Sequence, residues 1–301
     1  MWGQWSRVYI FVGNNPSPIL HYTFAKTINM RPKWRRVLCK RVAMTAKTAL
    51  LAALILLPLA WSPVRSEEIP VSGGPRELVI SYHAQAANRP AFRAYLLKQE
   101  TARLAALKRN GVLAHYQILF NPFVTPRTWD ALLLLTFPSY ADTARWKDIE
   151  RTMPGGLDKN GLALAAPSDT NSADLSWTSA APDAGDGKDA VFYVIPYEYN
   201  VLDQYKKYID AYLIPQVTGW IKEGVLARYS IYLNRDPVGP NWDSLFIYQY
   251  RNLEAFGQRE EITAKVRGPL RNDPAWKAYN DIKQTIRTEG ENTIAEKLSG
   301  E

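Results

Sequence analysis

The chain has 301 residues, 47% of them hydrophobic, and a formal charge of +8, a composition that can bury a substantial core and is unlike a disordered polymer. The charge is uneven, because residues 1–66 hold ten Lys/Arg and no Asp or Glu, leaving 27 basic against 29 acidic residues from Glu67 onward. A near-neutral body without a Lys/Arg cluster argues against a nucleic-acid partner. The single cysteine, Cys39, lies in the leader, so the mature chain is expected to have no disulfide, thiol nucleophile or cysteine metal site.

Residues 49–61 (ALLAALILLPLAW) are a 13-residue apolar run preceded by basic residues and followed by small and polar ones. This is the pattern of a secretory signal peptide, with cleavage expected after Ser66. The run falls short of the roughly 20 residues of a spanning helix, so the only membrane contact expected is this segment if uncleaved. The mature protein is therefore expected in the periplasm or the medium. Residues 1–43 show no consistent period, and Met30 or Met44 would make a more ordinary start. Residues 34–40 (WRRVLCK) loosely resemble a twin-arginine signal, but the apolar run begins too far downstream.

The first half, residues 67–166, opens with a strand over 78–83 (LVISYH). Asn88-Arg89-Pro90 starts a helix whose buried face carries Phe92, Tyr95, Leu96, Gln99, Ala106 and Leu107. Asn110-Gly111 ends it, glycine supplying the left-handed cap. Strands follow over 114–120 and 130–137, then a helix over 141–152 and a weak fourth strand over 161–166. Residues 167–189, rich in Ser, Asp, Ala and Gly, read as a solvated linker. The acidic run over 183–189 lacks EF-hand spacing.

The second half, residues 190–301, repeats the order: a strand over 191–199, a helix over 201–222 that Pro215 should kink near Leu213, a Glu223-Gly224 cap, and strands over 227–233 and 243–250. A helical region over 253–287, interrupted around Gly268-Pro269 and Asp273-Pro274, precedes a short strand over 293–297. The repeat is explicit in residues. Gly111-Val112-Leu113-Ala114, Tyr116, Ile118, Asn121, Trp129-Asp130 and Leu132 return 113 residues later, ten identities over 22 aligned positions, where unrelated chains would share about one or two. Val79-Ile80 matches Val194-Ile195 at an offset of 115.

Each half reads β-α-β-β-α-β, the ferredoxin-like unit. Its antiparallel sheet has helices on one face and needs cover on the other. The expected fold is therefore α+β: two ferredoxin-like halves packed sheet to sheet as a pseudo-dimeric α+β barrel, complete in one monomer. On this order, the duplication and the Gly-Val-Leu/Tyr/Trp-Asp pattern, residues 77–298 resemble the fused form of the dimeric α+β-barrel superfamily, which includes NIPSNAP-like, EthD-like and antibiotic-biosynthesis-monooxygenase-like proteins. The resemblance implies a fold that hosts cofactor-free oxygenases, isomerases, haem proteins and members with no known reaction.

Strand parity sorts the candidate site. Tyr116 and Ile118, repeated as Tyr229 and Ile231, suit packing under helices, so the divergent side chains should face the space between the sheets. That set is Ser81, His83, His115, Gln117, Glu198, Arg228, Ser230 and Tyr232. His83 and His115, the only histidines after the leader, are the candidate general bases. They are too few for a mononuclear metal site, which needs three or four ligands. Haem held by a single histidine is implied by the resemblance alone; no cofactor is otherwise expected. Trp129 and Trp242, beside Asp130 and Asp243, read as a structural pair, and the tyrosines at 193, 197, 199, 205, 208 and 212 as packing. The sequence has no phosphate loop, nucleophile elbow or paired-carboxylate motif. The expected function is binding of a small, partly apolar molecule between the sheets. A cofactor-independent oxygenase, an isomerase or a haem-binding barrel is the alternative, and a filled lumen would mean a structural or partner-binding protein.

Overall fold

The computed structural model describes residues 76–300 except 186 and 236–241. The leader, the signal run with its cleavage site, and the Pro/Gly loop of the second half lie outside the described residues. The first half contains β1 (Arg76–Ala84), α1 (Arg89–Tyr95), α2 (Thr101–Arg109), β2 (His115–Phe120), β3 (Ala131–Phe137), α3 (Thr143–Thr152), α4 (Lys159–Leu162) and β4 (Ala165–Ala180). The second contains β5 (Val191–Tyr199), α5 (Leu202–Tyr208), α6 (Ile214–Lys222), β6 (Leu226–Asn234), β7 (Ser244–Tyr250), α7 (Leu253–Gly257), α8 (Arg259–Leu270), α9 (Pro274–Ile286), β8 (Arg287–Glu289) and β9 (Thr293–Gly300).

The strands run in the order β7-β6-β4-β1-β3-β2-β9-β5, and β7 pairs back to β5, closing an antiparallel barrel with β8 appended to β5. Closure depends on the fourth strand of each half. Residues 165–173 of β4 pair with β1 and residues 173–180 with β6. Likewise residues 293–295 of β9 pair with β5, and residues 296–300 with β2. Each fourth strand thus spans both sheets and removes an exposed edge.

This corrects the linker reading. Most of residues 167–188 is β4, whose burial alternates along residues 165–173, with Ala165, Asn171 and Ala173 buried. Its Ser, Asp and Thr content resembles loop composition because one face meets water; the alternation, not the polarity, was the signal. Of the expected weak strand over 161–166, only Ala165 and Ala166 are strand, as the start of β4; Gly161 and Leu162 end α4, with Asp158 accepting hydrogen bonds from the N–H groups of Asn160 and Gly161 as its N-cap.

The correspondence between the halves extends through the helices. A π-helical turn at Leu96–Glu100 separates α1 from α2, and another at Ile209–Leu213 separates α5 from α6, again 113 residues apart. The break was expected from Pro215, yet the first-half turn contains no proline, so the bulge belongs to the fold. The Tyr212 carbonyl beside the second bulge accepts from Gln216 Nε2 and Trp276 Nε1, each at 3.0 Å.

Three apolar layers follow. One lies under the first-half helices around Phe92, Leu104, Ile118 and Trp146. A second lies under the second-half helices around Tyr205, Ile231, Phe246 and Trp276. The third lies between the sheets: Val79, Leu119, Leu132, Leu134, Phe192, Val194, Leu245 and Ile247. Each such side chain contributes about 2 kcal/mol by leaving water, so the middle of the barrel is packed.

Candidate functional site

The repeated residues build the barrel ends. Asp130 donates its N–H to the Tyr82 carbonyl at 2.8 Å and accepts the Ala84 N–H on Oδ2 at 2.7 Å. Asp243 does the same with Tyr197 at 2.9 Å and Tyr199 at 3.0 Å. Asn121 Nδ2 donates to the Trp129 carbonyl at 3.3 Å, and Asn234 Nδ2 to the Trp242 carbonyl at 2.9 Å. The Trp-Asp dipeptides are therefore clasps that fix strand ends through main-chain atoms, as a structural pairing requires. Their indoles do more: Trp129 and Trp242 line the same cavity.

That cavity, of about 270 Å³, opens at one end of the barrel, where β1 and β5 finish and β3 and β7 begin. Val79, Leu132 and Leu245 form its apolar lining, with the two indoles. The polar groups sit mostly on the first-half side. Ser81 Oγ and Ser168 Oγ are 2.8 Å apart, and Ser81 Oγ donates to Asp169 at 3.4 Å. Asn171 is buried and also lines the space. In the second half, Pro196 occupies the counterpart of Ser81 and adds no donor. Arg127 and Glu291, both exposed, form an ion pair at 3.3 Å across the rim. The result is a small amphipathic chamber with one polar wall.

His83 is half exposed, with Nδ1 3.9 Å from Asp130 Oδ2. Asp130 is itself buried and ion-paired with Arg89, whose guanidinium also donates to the Asn121 carbonyl and lies 5.2 Å over the Phe120 ring. The carboxylate beside the imidazole is thus held in place.

Five of the expected residues lie elsewhere. His115, Gln117, Arg228, Ser230 and Tyr232 line an open polar groove of about 410 Å³ with Thr178, Gln249 and Lys297. Ser81 pairs across β3 with Leu132, whereas His115 pairs with Thr136. Four residues of strand, about 13 Å, separate the two ends, and the inter-sheet layer fills the space between them. Glu198 is exposed and lines neither space. The strand parity is as expected, but the single lumen lined by all eight residues is corrected to two separate mouths. The signal was present: ALLLLTF in β3 is apolar on both faces, as in a strand buried on both sides.

Glu77 adds a buried carboxyl near the groove. It accepts the Leu175 N–H at 3.1 Å, and desolvation pushes its pKa up to about 7, with nearby Asp174 adding to the rise and Arg76 opposing it. Glu77 precedes the strand expected over 78–83, and nothing in the sequence marked its burial. Asp169 and Asn171 were hidden by the linker reading. Among the described residues no group of three or more His, Cys, Asp or Glu could hold a metal ion.

No protein-family model matches the chain, and no curated protein matches it. Solved structures do. A candidate monooxygenase from Fusobacterium nucleatum superposes with a TM-score of 0.50 at 10% identity, covering 76% of this chain and 95% of that one. A candidate monooxygenase from Lactobacillus acidophilus gives 0.46 at 14% identity, covering 75% and 95%. A variant chlorite dismutase from Candidatus Nitrospira defluvii gives 0.46 at 9% identity, covering 75% and 92%. At these identities the likeness is one of fold. By fold, the chain is an α+β protein whose closed eight-stranded antiparallel barrel joins two ferredoxin-like halves.

Proposed function

We propose that this protein binds a small planar molecule, mostly apolar with one polar edge, in the chamber between Trp129 and Trp242. The supporting observation is the convergence of two repeat-equivalent indoles on one space that His83, Ser81 and Asp169 also line. Ring stacking holds the apolar body, and the polar wall fixes its orientation. A bicyclic phenol suits this volume and chemistry. The test is a fluorescence titration of the full chain with 2-naphthol. Trp129→Ala and Trp242→Ala should each weaken binding at least tenfold, and Arg228→Ala should leave it unchanged. The absence of saturable binding would remove the proposal.

The contact between His83 and Asp130 favours a second reading, in which the bound molecule is deprotonated by an oriented imidazole. The resulting enolate or phenolate is the electron-rich form that a cofactor-independent oxygenase or isomerase uses. His83→Gln would then abolish turnover while binding persists. The NIPSNAP-like or EthD-like affiliation, the monomeric state and export to the periplasm or medium belong to the same proposal; N-terminal sequencing of the mature chain tests the last.

Haem does not fit beside His83, since a porphyrin exceeds the 270 Å³ chamber. Such a reading falls on His115 in the larger groove, with Arg228 and Lys297 near enough to serve carboxylates. It predicts a Soret shift with hemin that His115→Ala abolishes; the present proposal predicts no shift that depends on His115.

A further inference from the structure

The second half contains a further cavity on the helix-covered face of its sheet. It measures about 420 Å³ and lies between the outer face of the sheet and helices α6 and α8, walled by Tyr197, Tyr208, Tyr212 and Trp220 among others. At an offset of 113, Leu213 and Gln216 replace Glu100 and Arg103. In the first half Arg103 pairs with the buried Glu100 and lies 5.7 Å over the Trp146 ring, so the equivalent space is filled. In the second half that internal ion pair is gone, and guanidinium groups enter from the rim instead.

The rim carries Arg259, Arg267, Arg271 and Arg287 against Glu260 and Glu289. Arg287 lies 4.2 Å over the Tyr197 ring, donates to the Tyr208 hydroxyl at 2.9 Å and pairs with Glu289 at 3.4 Å. Arg267 donates to Gln216 at 2.6 Å, and among the described residues neither Arg267 nor Arg271 has a carboxylate partner. Trp220, also on the wall, is buried, and among the described residues its Nε1–H finds no acceptor, although buried donors are nearly always satisfied.

We propose that this cavity is a second ligand site, specific for a planar aromatic ring bearing a carboxylate. The tyrosines take the ring. Arg267 and Arg271 take the carboxylate, guanidinium being suited to its planar geometry. A further acceptor on the ligand satisfies Trp220.

The site is separate from the chamber at Trp129, and the probes distinguish them. Calorimetric titration of the full chain with 2-naphthoate should show saturable binding that weakens with added salt. Arg267→Gln combined with Arg271→Gln should reduce affinity at least tenfold. The Arg271→Lys variant, which keeps the charge, should lose less. Ala264→Trp, at an exposed helix position on the cavity wall, should fill the space and abolish binding without unfolding the chain. Trp129→Ala should have no effect. The proposal is overturned if 2-naphthoate does not saturate a chain with wild-type melting behaviour, if the arginine and Ala264 variants bind as the wild type does, or if Trp129→Ala removes the binding.

Discussion

Arg89 and Asp130 form a buried ion pair in the first half that, among the described residues, has no counterpart in the second, where Leu202 stands 113 residues after Arg89. The two Trp-Asp clasps therefore share main-chain geometry but differ in charge. Asp130→Asn keeps an acceptor for the Ala84 N–H yet leaves the Arg89 cation buried without a counter-charge, a loss of about 3 kcal/mol or more. Asp243→Asn changes only the strength of one hydrogen bond, about 1 kcal/mol. Urea midpoints of the two variants should differ accordingly; equal midpoints would show that the Arg89 pair contributes nothing specific.

Glu77 should make stability depend on pH in an unusual direction. Its carboxyl rises from an ordinary 4.5 to about 7, chiefly through burial. Between those values the unfolded chain has released the proton and the folded chain has not, so stability falls as pH rises through that window. At about 1.4 kcal/mol per unit the penalty above neutrality is about 3.5 kcal/mol. Glu77→Gln, which retains an acceptor for the Leu175 N–H, should match the wild type near pH 4 and exceed it near pH 8. A melting difference that is the same at both pH values would contradict this assignment.

Two glycines with positive φ should respond very differently to alanine. Gly111, at φ 68°, ends the first helix, and a Cβ added there would meet open space, so Gly111→Ala should cost only the left-handed conformation, about 1–2 kcal/mol. Gly156, at φ 78°, would place a Cβ 2.8 Å from the Trp146 ring and 2.9 Å from Arg103 Nη2. Strain and overpacking then add, and the loss should exceed about 3 kcal/mol. Similar chemical-denaturation midpoints for the two variants would show that the Trp146 contact relaxes freely.

The recurrence of residues 111–132 at 224–245 made most of this fold legible. Residues shared by the copies, Gly111 with Gly224, Asp130 with Asp243, and Tyr116 with Tyr229, are the caps, clasps and packed strands. Period-two alternation put Ser81 and His83 on one face of the first strand, and both line the chamber. Other features were hidden for physical reasons. The β4 strand has its polar face in water and resembles loop composition. Leu132 and Leu134 fill the barrel because both faces of β3 are buried, which divides the lumen and separates His83 from His115. Trp129 and Trp242 come to line one cavity only after barrel closure, a relation no local pattern contains. The Tyr/Arg cavity depends on Leu213 and Gln216 having replaced an ion pair, which is visible only when the copies are superposed.

The account rests on the chamber between Trp129 and Trp242 being a ligand site. The most direct measurement is a crystal of the protein soaked in 6-bromo-2-naphthol, with data collected at the bromine absorption edge. The account predicts an anomalous peak between the two indoles, with the phenol oxygen toward His83 and Ser81. A peak only in the groove at His115 or among the second-half tyrosines, or no peak at all, would contradict it.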